Sequence, residues 1–236
     1  MNTVLKTKYD ALLEQGIDKL DFQQQIAYLT QHFSEIVFST SFSYEDQAIT
    51  FLLKNEPVEI FTLDTGRLFE QTYETWNRTV AKYKVKIKTY TPPAAELSAF
   101  LTEKGPDSFY QSVENRKQCC NIRKVIPLNQ AIQGKQVWIT GLRAEHSPNR
   151  KDIPVFEWDE THQIIKFNPI LFWTTDQVQE FITNNQIPYN SLHKKGFVSI
   201  GCAPCTRAIQ EGEDFRAGRW WWEDASKKEC GLHIHK

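Results

Sequence analysis

No apolar run in this sequence approaches the roughly 20 residues that a helix needs to cross a lipid bilayer. The opening segment, Met1 to Asp10, alternates polar and apolar residues and lacks the apolar centre of a secretory signal. The cytoplasm is therefore the expected compartment, and no membrane partner is expected. Net charge is scarce as well. Twenty-eight Lys and Arg against 29 Asp and Glu leave a formal charge of −1, which gives no global reason to bind nucleic acid. An anion held by this chain must be held by a local group of arginines and lysines. Internal repeats, low-complexity tracts and blocks of like charge are absent too. What remains is ordinary: 236 residues, 40% hydrophobic and 24% charged, enough for one domain or one domain with an appendage.

Cysteine is sparse and odd in number. The five stand as Cys119–Cys120, Cys202-Ala-Pro-Cys205 and Cys230. An odd count in a reducing compartment argues against a disulfide framework. A vicinal pair is also a poor disulfide, because neighbouring Cα atoms about 3.8 Å apart fall short of the usual bridge separation. Metal binding, catalysis and plain burial are left. A Cys-x-x-Cys turn brings two thiolates to one centre, and thiolates ligate both zinc and iron–sulfur clusters. Adjacent cysteines fit a compact tetrahedral zinc site awkwardly and the larger cubane more easily. Two pairs supply the four thiolates that a [4Fe-4S] cluster needs. Cys230 is then left over, among Lys227, Lys228 and His233, whose charges would lower a thiol pKa and favour a nucleophilic thiolate. The bland reading is an incidental cysteine near the end of the chain.

Along the chain, helical and strand patterns alternate. Leu20 to Phe33 has helical spacing, Glu35 to Thr40 favours a strand, and Asp46 to Leu53 a helix. A strand over Val58–Leu63, a helix over Leu68–Tyr83 and a strand over Val85–Tyr90 follow. A helix over about Cys120–Ile132 then precedes a strand over Gln136–Thr140. This order predicts an α/β fold, with a mostly parallel sheet sandwiched by helices. After Arg150, Ile153–Trp158 and Gln163–Phe167 read as a hairpin around Asp159 to His162, and Thr174 or Thr175 caps a helix through Ile182. Residues 1–200 are thus read as the main domain. Residues 201–236 form a tail over the active site that belongs to the same functional unit.

Ligands of such sheets sit beyond the carboxyl ends of the strands. Those ends carry Ser39-Thr-Ser-Phe-Ser-Tyr-Glu-Asp46, Asp64-Thr-Gly-Arg67, and Gly141-Leu-Arg143 through Arg150. Hydroxyls, acids, glycine and arginine on one rim are what a phosphorylated nucleoside requires. In the tail, Arg216 and Arg219 stand three apart before three consecutive tryptophans. Two guanidiniums so placed can face one anion, or form a surface pair stacked on aromatics.

These residues also carry a specific resemblance. The chain resembles the cluster-containing assimilatory adenylyl-sulfate reductases, within the phosphoadenylyl-sulfate reductase family. The matching stretches are Ser39 to Asp46, Leu63-Asp-Thr-Gly66, Cys119-Cys-Asn-Ile-Arg-Lys-Val125, Thr140-Gly-Leu-Arg143 through Arg150, Gly201-Cys-Ala-Pro-Cys-Thr206, and Gly212 to His233. The resemblance implies an adenine nucleotide α-hydrolase-like fold of the PP-loop type. It implies a [4Fe-4S] cluster on Cys119, Cys120, Cys202 and Cys205, and Lys124 between cluster and substrate. Arg143, Arg150, Arg216 and Arg219 would embrace the phosphosulfate, with Ser39, Ser41, Asp46, Asp64 and Gly141 as further substrate contacts. Cys230 matches the nucleophile and His233 the histidine beside it. The implied reaction yields sulfite and AMP in sulfate assimilation towards cysteine, through a Cys230 S-sulfonate released by thioredoxin or a glutaredoxin-like dithiol. A homo-oligomer is compatible with all of this. The alternative substrate is the 3′-phosphorylated nucleotide, whose reductases usually lack the two cysteine pairs. Two departures stand out: Phe42-Ser-Tyr44 in the phosphate loop, where relatives often have a smaller residue, and Ala144 with His146, where they often carry Arg and Gln.

Overall fold

The structure, a computed structural model, describes residues 3–146 and 152–224. Among the described residues six strands form one sheet: β1 (Ile36–Ser39), β2 (Glu59–Leu63), β3 (Ile87–Tyr90), β4 (Val137–Ile139), β5 (Phe156–Asp159) and β6 (Ile164–Phe167). Their spatial order is β3-β2-β1-β4-β6-β5, and every pair is parallel except β5 with β6. The expected parallel sheet and the hairpin after Arg150 are both present, and the hairpin's second strand extends the sheet beside β4.

The central strand shows why both faces are covered. Successive side chains of a strand point to opposite faces. Ile36 and Phe38 pack with Leu5 and Leu29, from helices α1 (Thr3–Glu14) and α2 (Phe22–His32). Val37 packs the other way, with Leu128 and Ile132 of a helix over Ile126–Ile132. A strand buried on both sides has no polar position to alternate, so it reads as a continuous apolar run.

The remaining helices are α3 (Tyr44–Leu53), α4 (Glu70–Tyr83), α5 (Ala94–Lys104), α6 (Val113–Cys120), α7 (Ile126–Ile132) and α8 (Thr175–Asn184). Thr174 caps α8: its side chain accepts from the Gln177 backbone, and the Gln177 side chain accepts from Thr174 N–H in return. The α1 and α5 segments carry no assignment from the sequence pattern. The helix expected from about Cys120 begins earlier, at Val113, where the Ser112 side chain accepts from Asn115 N–H. It also contains a π turn over Asn121–Val125, in which Ile126 N–H reaches Asn121 O. Pro127 supplies the reason, since it has no N–H to continue the α ladder and the turn before it widens.

From Gly201 the chain folds back over the sheet end. Ala203 N–H donates to Arg67 O at 2.8 Å and Trp220 N–H to Cys205 O at 3.1 Å, while Arg207 N–H donates to Gly218 O at 2.9 Å. Among the described residues no helix is long and apolar enough to cross a membrane.

Candidate active site

β1 is flanked by β2 on one side and β4 on the other, so the chain reverses its winding direction there. A crevice must open at that switch point beyond the strand ends. It is a cavity of about 290 Å³, near the lower end of sizes for small-molecule sites. Ser39, Ser41, Asp46, Gly141, Arg216 and Arg219 line it, as the sequence led one to expect.

The phosphate loop is built from local hydrogen bonds. Ser43 caps α3 by accepting from Asp46 N–H. Asp46 in turn accepts both the backbone N–H and the hydroxyl of Ser41, each at 2.6 Å. Trp138 donates its indole N–H to Ser39 Oγ at 2.9 Å, tying β4 to the same loop. A Cβ on Gly141 would lie 2.2 Å from Asp46 Oδ1, so only glycine lets β4 approach this carboxylate. Asp46 therefore braces the loop from within as well as lining the cavity.

Burial raises the Asp46 pKa from 3.8 to about 6, against the lowering effect of the Ser41 hydrogen bonds and with a further push from Glu45. A folded-state value above the unfolded one means that the proton binds more tightly in the folded chain. Stability from this group is then complete below about pH 4 and is lost as pH rises through about 6. In urea unfolding, Asp46→Asn should gain on the wild type by about 2 kcal/mol between pH 4 and pH 7. A difference that does not change with pH would show that Asp46 titrates normally.

A second, smaller cleft lies beside the cavity. Cys119, Cys120, Cys202 and Cys205 line it, together with Arg67, Arg116, Arg123 and Lys124. Lys124 and Cys202 line both spaces and so stand between them. None of the four cysteines forms a disulfide. Burial raises the Cys119 thiol, and raises Cys205 to about 12, with Cys202 adding to both. Among the described residues no three His, Cys, Asp or Glu side chains are grouped to hold a single metal ion. Phe109 lines the cleft, and Phe100 of α5 belongs to the same apolar cluster as Cys119, Cys202 and Cys205.

The tail is buckled on by charge. Arg116 and Glu223 form a bidentate pair at 3.0 and 2.8 Å, with both side chains almost wholly buried. Of the three tryptophans, Trp220 is 1% exposed and Trp221 is 40% exposed, which divides them between packing and surface. Arg219 is buried, its guanidinium lies 4.8 Å from the Trp220 ring, and its Nε has no hydrogen-bond partner. Gly201 makes room for it, since a Cβ there would sit 2.3 Å from Arg219 Nη2.

Two residues expected at the substrate, Arg143 and Asp64, are not among those that line the cavity. Arg143 is 1% exposed and bonds Glu45, Glu145, Trp173 O and the Thr175 hydroxyl. Asp64 accepts from Gly66 N–H at 2.9 Å and from the Tyr73 hydroxyl at 2.8 Å. Arg150, Cys230 and His233 lie outside the described residues. Arg67, Arg116 and Arg123 were not anticipated at the cysteines. Arg123 adjoins Lys124 in sequence, which is a local signal, whereas Arg67 and Arg116 give none.

Residues 35–208 match the family described as Phosphoadenosine phosphosulfate reductase domain. Adenosine 5′-phosphosulfate reductase of Allochromatium vinosum is 45% identical over 210 residues, covering 88% of this chain and 82% of the relative. The enzyme of that name from Burkholderia cepacia is 41% identical over 236 residues, covering 99% and 94%. Among solved structures, phosphoadenylyl-sulfate reductase from Candida auris, in complex with phosphate, superposes with a TM-score of 0.70 at 27% identity, covering 89% of this chain and 98% of the other. An FMN adenylyltransferase from Candida glabrata shares the fold alone, with a TM-score of 0.52 at 14% identity.

Proposed function

The chain belongs to the phosphoadenosine phosphosulfate reductase domain family, and we propose that it reduces adenosine 5′-phosphosulfate to sulfite and AMP. The observation that carries this reading is the junction of two spaces. A nucleotide-sized crevice opens onto a cleft of four cysteines, and Lys124 and Cys202 belong to both.

Sulfate is inert until one of its oxygens is joined to AMP, a good leaving group. In the proposed mechanism the Cys230 thiolate attacks the sulfur, the bond from sulfur to the bridging oxygen breaks, and AMP departs with that electron pair. Cys230 then carries an S-sulfonate. Lys124, Arg216 and Arg219, together with Arg150, offset the anionic charge that would otherwise repel a thiolate. Arg143 holds Glu45 and Glu145 in place at the same rim. His233 is assigned beside the nucleophile.

The cleft suits a [4Fe-4S] cluster. Its four donors are thiols, the ligands such clusters take, and Arg67, Arg123 and Lys124 stand beside them with positive charge that would offset thiolates. When bound, the cluster would supply local charge and hold the tail against α6 instead of carrying electrons. With four cysteines so engaged, no resolving thiol is left in the chain. An external dithiol of the thioredoxin class must attack the Cys230 sulfur, release sulfite and emerge as a disulfide, which accounts for both electrons. The cytoplasm, where thiols stay reduced, is the compartment that supports this cycle.

The test is an intact-mass measurement. Protein purified without oxygen is mixed with adenosine 5′-phosphosulfate in the absence of dithiol. A gain of one SO₃ group on Cys230, removed by thioredoxin, is the expected result. An adduct from the 3′-phosphorylated nucleotide alone would reassign the substrate. No adduct from either would overturn the covalent mechanism.

A further inference from the structure

Phe42 is an anomaly in the phosphate loop. Its φ is +61°, a left-handed conformation that a bulky side chain rarely adopts, and the residue is 1% exposed. A loop that needs such a conformation ordinarily places glycine there. Something in the structure must hold Phe42 in it. Its ring stacks on Trp76 of α4, with centroids 5.3 Å apart and planes 22° from parallel. Trp76 stacks in turn with Tyr73, at 6.4 Å and 17°. Tyr73 and Trp76 are three residues apart on α4, so both rings lie along one side of the helix.

The ladder does not end at Tyr73. The Tyr73 hydroxyl donates to Asp64 Oδ1, which also accepts from Gly66 N–H. The intervening Thr65 accepts from Arg123 through its carbonyl and from the Cys202 thiol through its hydroxyl. Phe42 itself lines the cavity. An unbroken set of contacts thus runs from the phosphate loop, across α4, to the loop after β2 and the edge of the cysteine cleft.

We infer that Trp76 is a positioning residue, which holds Phe42 in its left-handed conformation and so sets the phosphate loop in the shape that receives the nucleotide. The inference rests on the reading of the cavity as the adenosine 5′-phosphosulfate site. Trp76 acts through Phe42, so its removal should weaken binding of ground state and transition state alike. That raises KM and leaves kcat little changed. The dependence is also conditional: a glycine at position 42 needs no support, so Trp76 should then matter little.

A double-mutant cycle tests this. Wild type, Trp76→Ala, Phe42→Gly and the double variant are assayed on adenosine 5′-phosphosulfate with thioredoxin. Amide exchange over residues 39–46 is followed in parallel. Trp76→Ala is expected to raise KM about tenfold, to change kcat by less than about threefold, and to speed exchange at Ser41 to Ser43. In the Phe42→Gly background the same change should move KM by less than about twofold. Equal effects in both backgrounds, or none in the wild type, would overturn the inference. Should Trp76→Ala lose its fold, Trp76→Leu keeps most of the apolar volume, removes the ring face and serves the same comparison. A wild type without turnover would sink the functional reading alone. The exchange comparison would then still decide the ladder.

Discussion

A Cys230→Ser chain is expected to form no S-sulfonate and to lose sulfite production by at least about 10⁴-fold, while keeping the colour of the proposed cluster. The reasoning begins from the count of five cysteines. Four of them line one cleft with four basic side chains, which leaves Cys230 as the proposed nucleophile. Serine differs by one atom but carries its proton at neutral pH, whereas a thiol loses its proton far more easily. The oxygen nucleophile would also have to attack an anionic sulfur without the soft character of sulfur. Visible absorbance and iron content should be unchanged, because none of the cleft residues has been touched. If activity and colour vanished together, Cys230 would belong to the cluster and the division of labour would be wrong.

The second large effect is expected at Arg219. Replacing it with alanine should lower kcat/KM for adenosine 5′-phosphosulfate by about 10²- to 10³-fold, or roughly 3–4 kcal/mol of transition-state stabilisation. Arg219 is buried, lines the cavity, and among the described residues has no carboxylate within salt-bridge distance. A buried cation without an ion-pair partner is costly, and a site that keeps one gains the cost back most fully when an anion arrives. Arg116 is the instructive contrast, because Glu223 already neutralises it. Removing Arg219 should therefore leave the melting temperature of the free protein unchanged or slightly higher. Stabilisation by added AMP should shrink at the same time. A variant that loses activity and stability in parallel would mark Arg219 as a packing residue.

Much of the fold was legible because its signals are local. β1, β2 and β4 are apolar runs bounded by turn residues, and Thr174 announces its helix through capping chemistry. The start at Val113 was missed because α6 is nearly as polar as a loop, with Ser112 as its only clear signal. The helix over Thr3–Glu14 was missed because its buried Leu5, Tyr9 and Leu12 are few among charged neighbours. In the site, the four cysteines of the cleft stood out by type and spacing, and its arginines did not. The role of Arg143 did not, because Glu45 lies 98 residues away and nothing in either segment points to the other.

By itself, then, the sequence determined the alternation of helix and strand, the grouping of Cys119 and Cys120 with Cys202 and Cys205, and the rim of hydroxyls and arginines at the strand ends. Each of these depends on residue type and short spacing, which survive without coordinates. Only the tertiary structure decided which charges are committed and which face the cavity. It turned Arg143 inward to two carboxylates and left Arg219 lining the crevice. It likewise made Asp46 a buried brace under Gly141, and held Phe42 against Trp76 in a conformation its side chain disfavours. The physical reason is common to all four. Desolvation, ion pairing and ring stacking depend on what stands within a few ångströms, and folding brings those neighbours from distant parts of the chain.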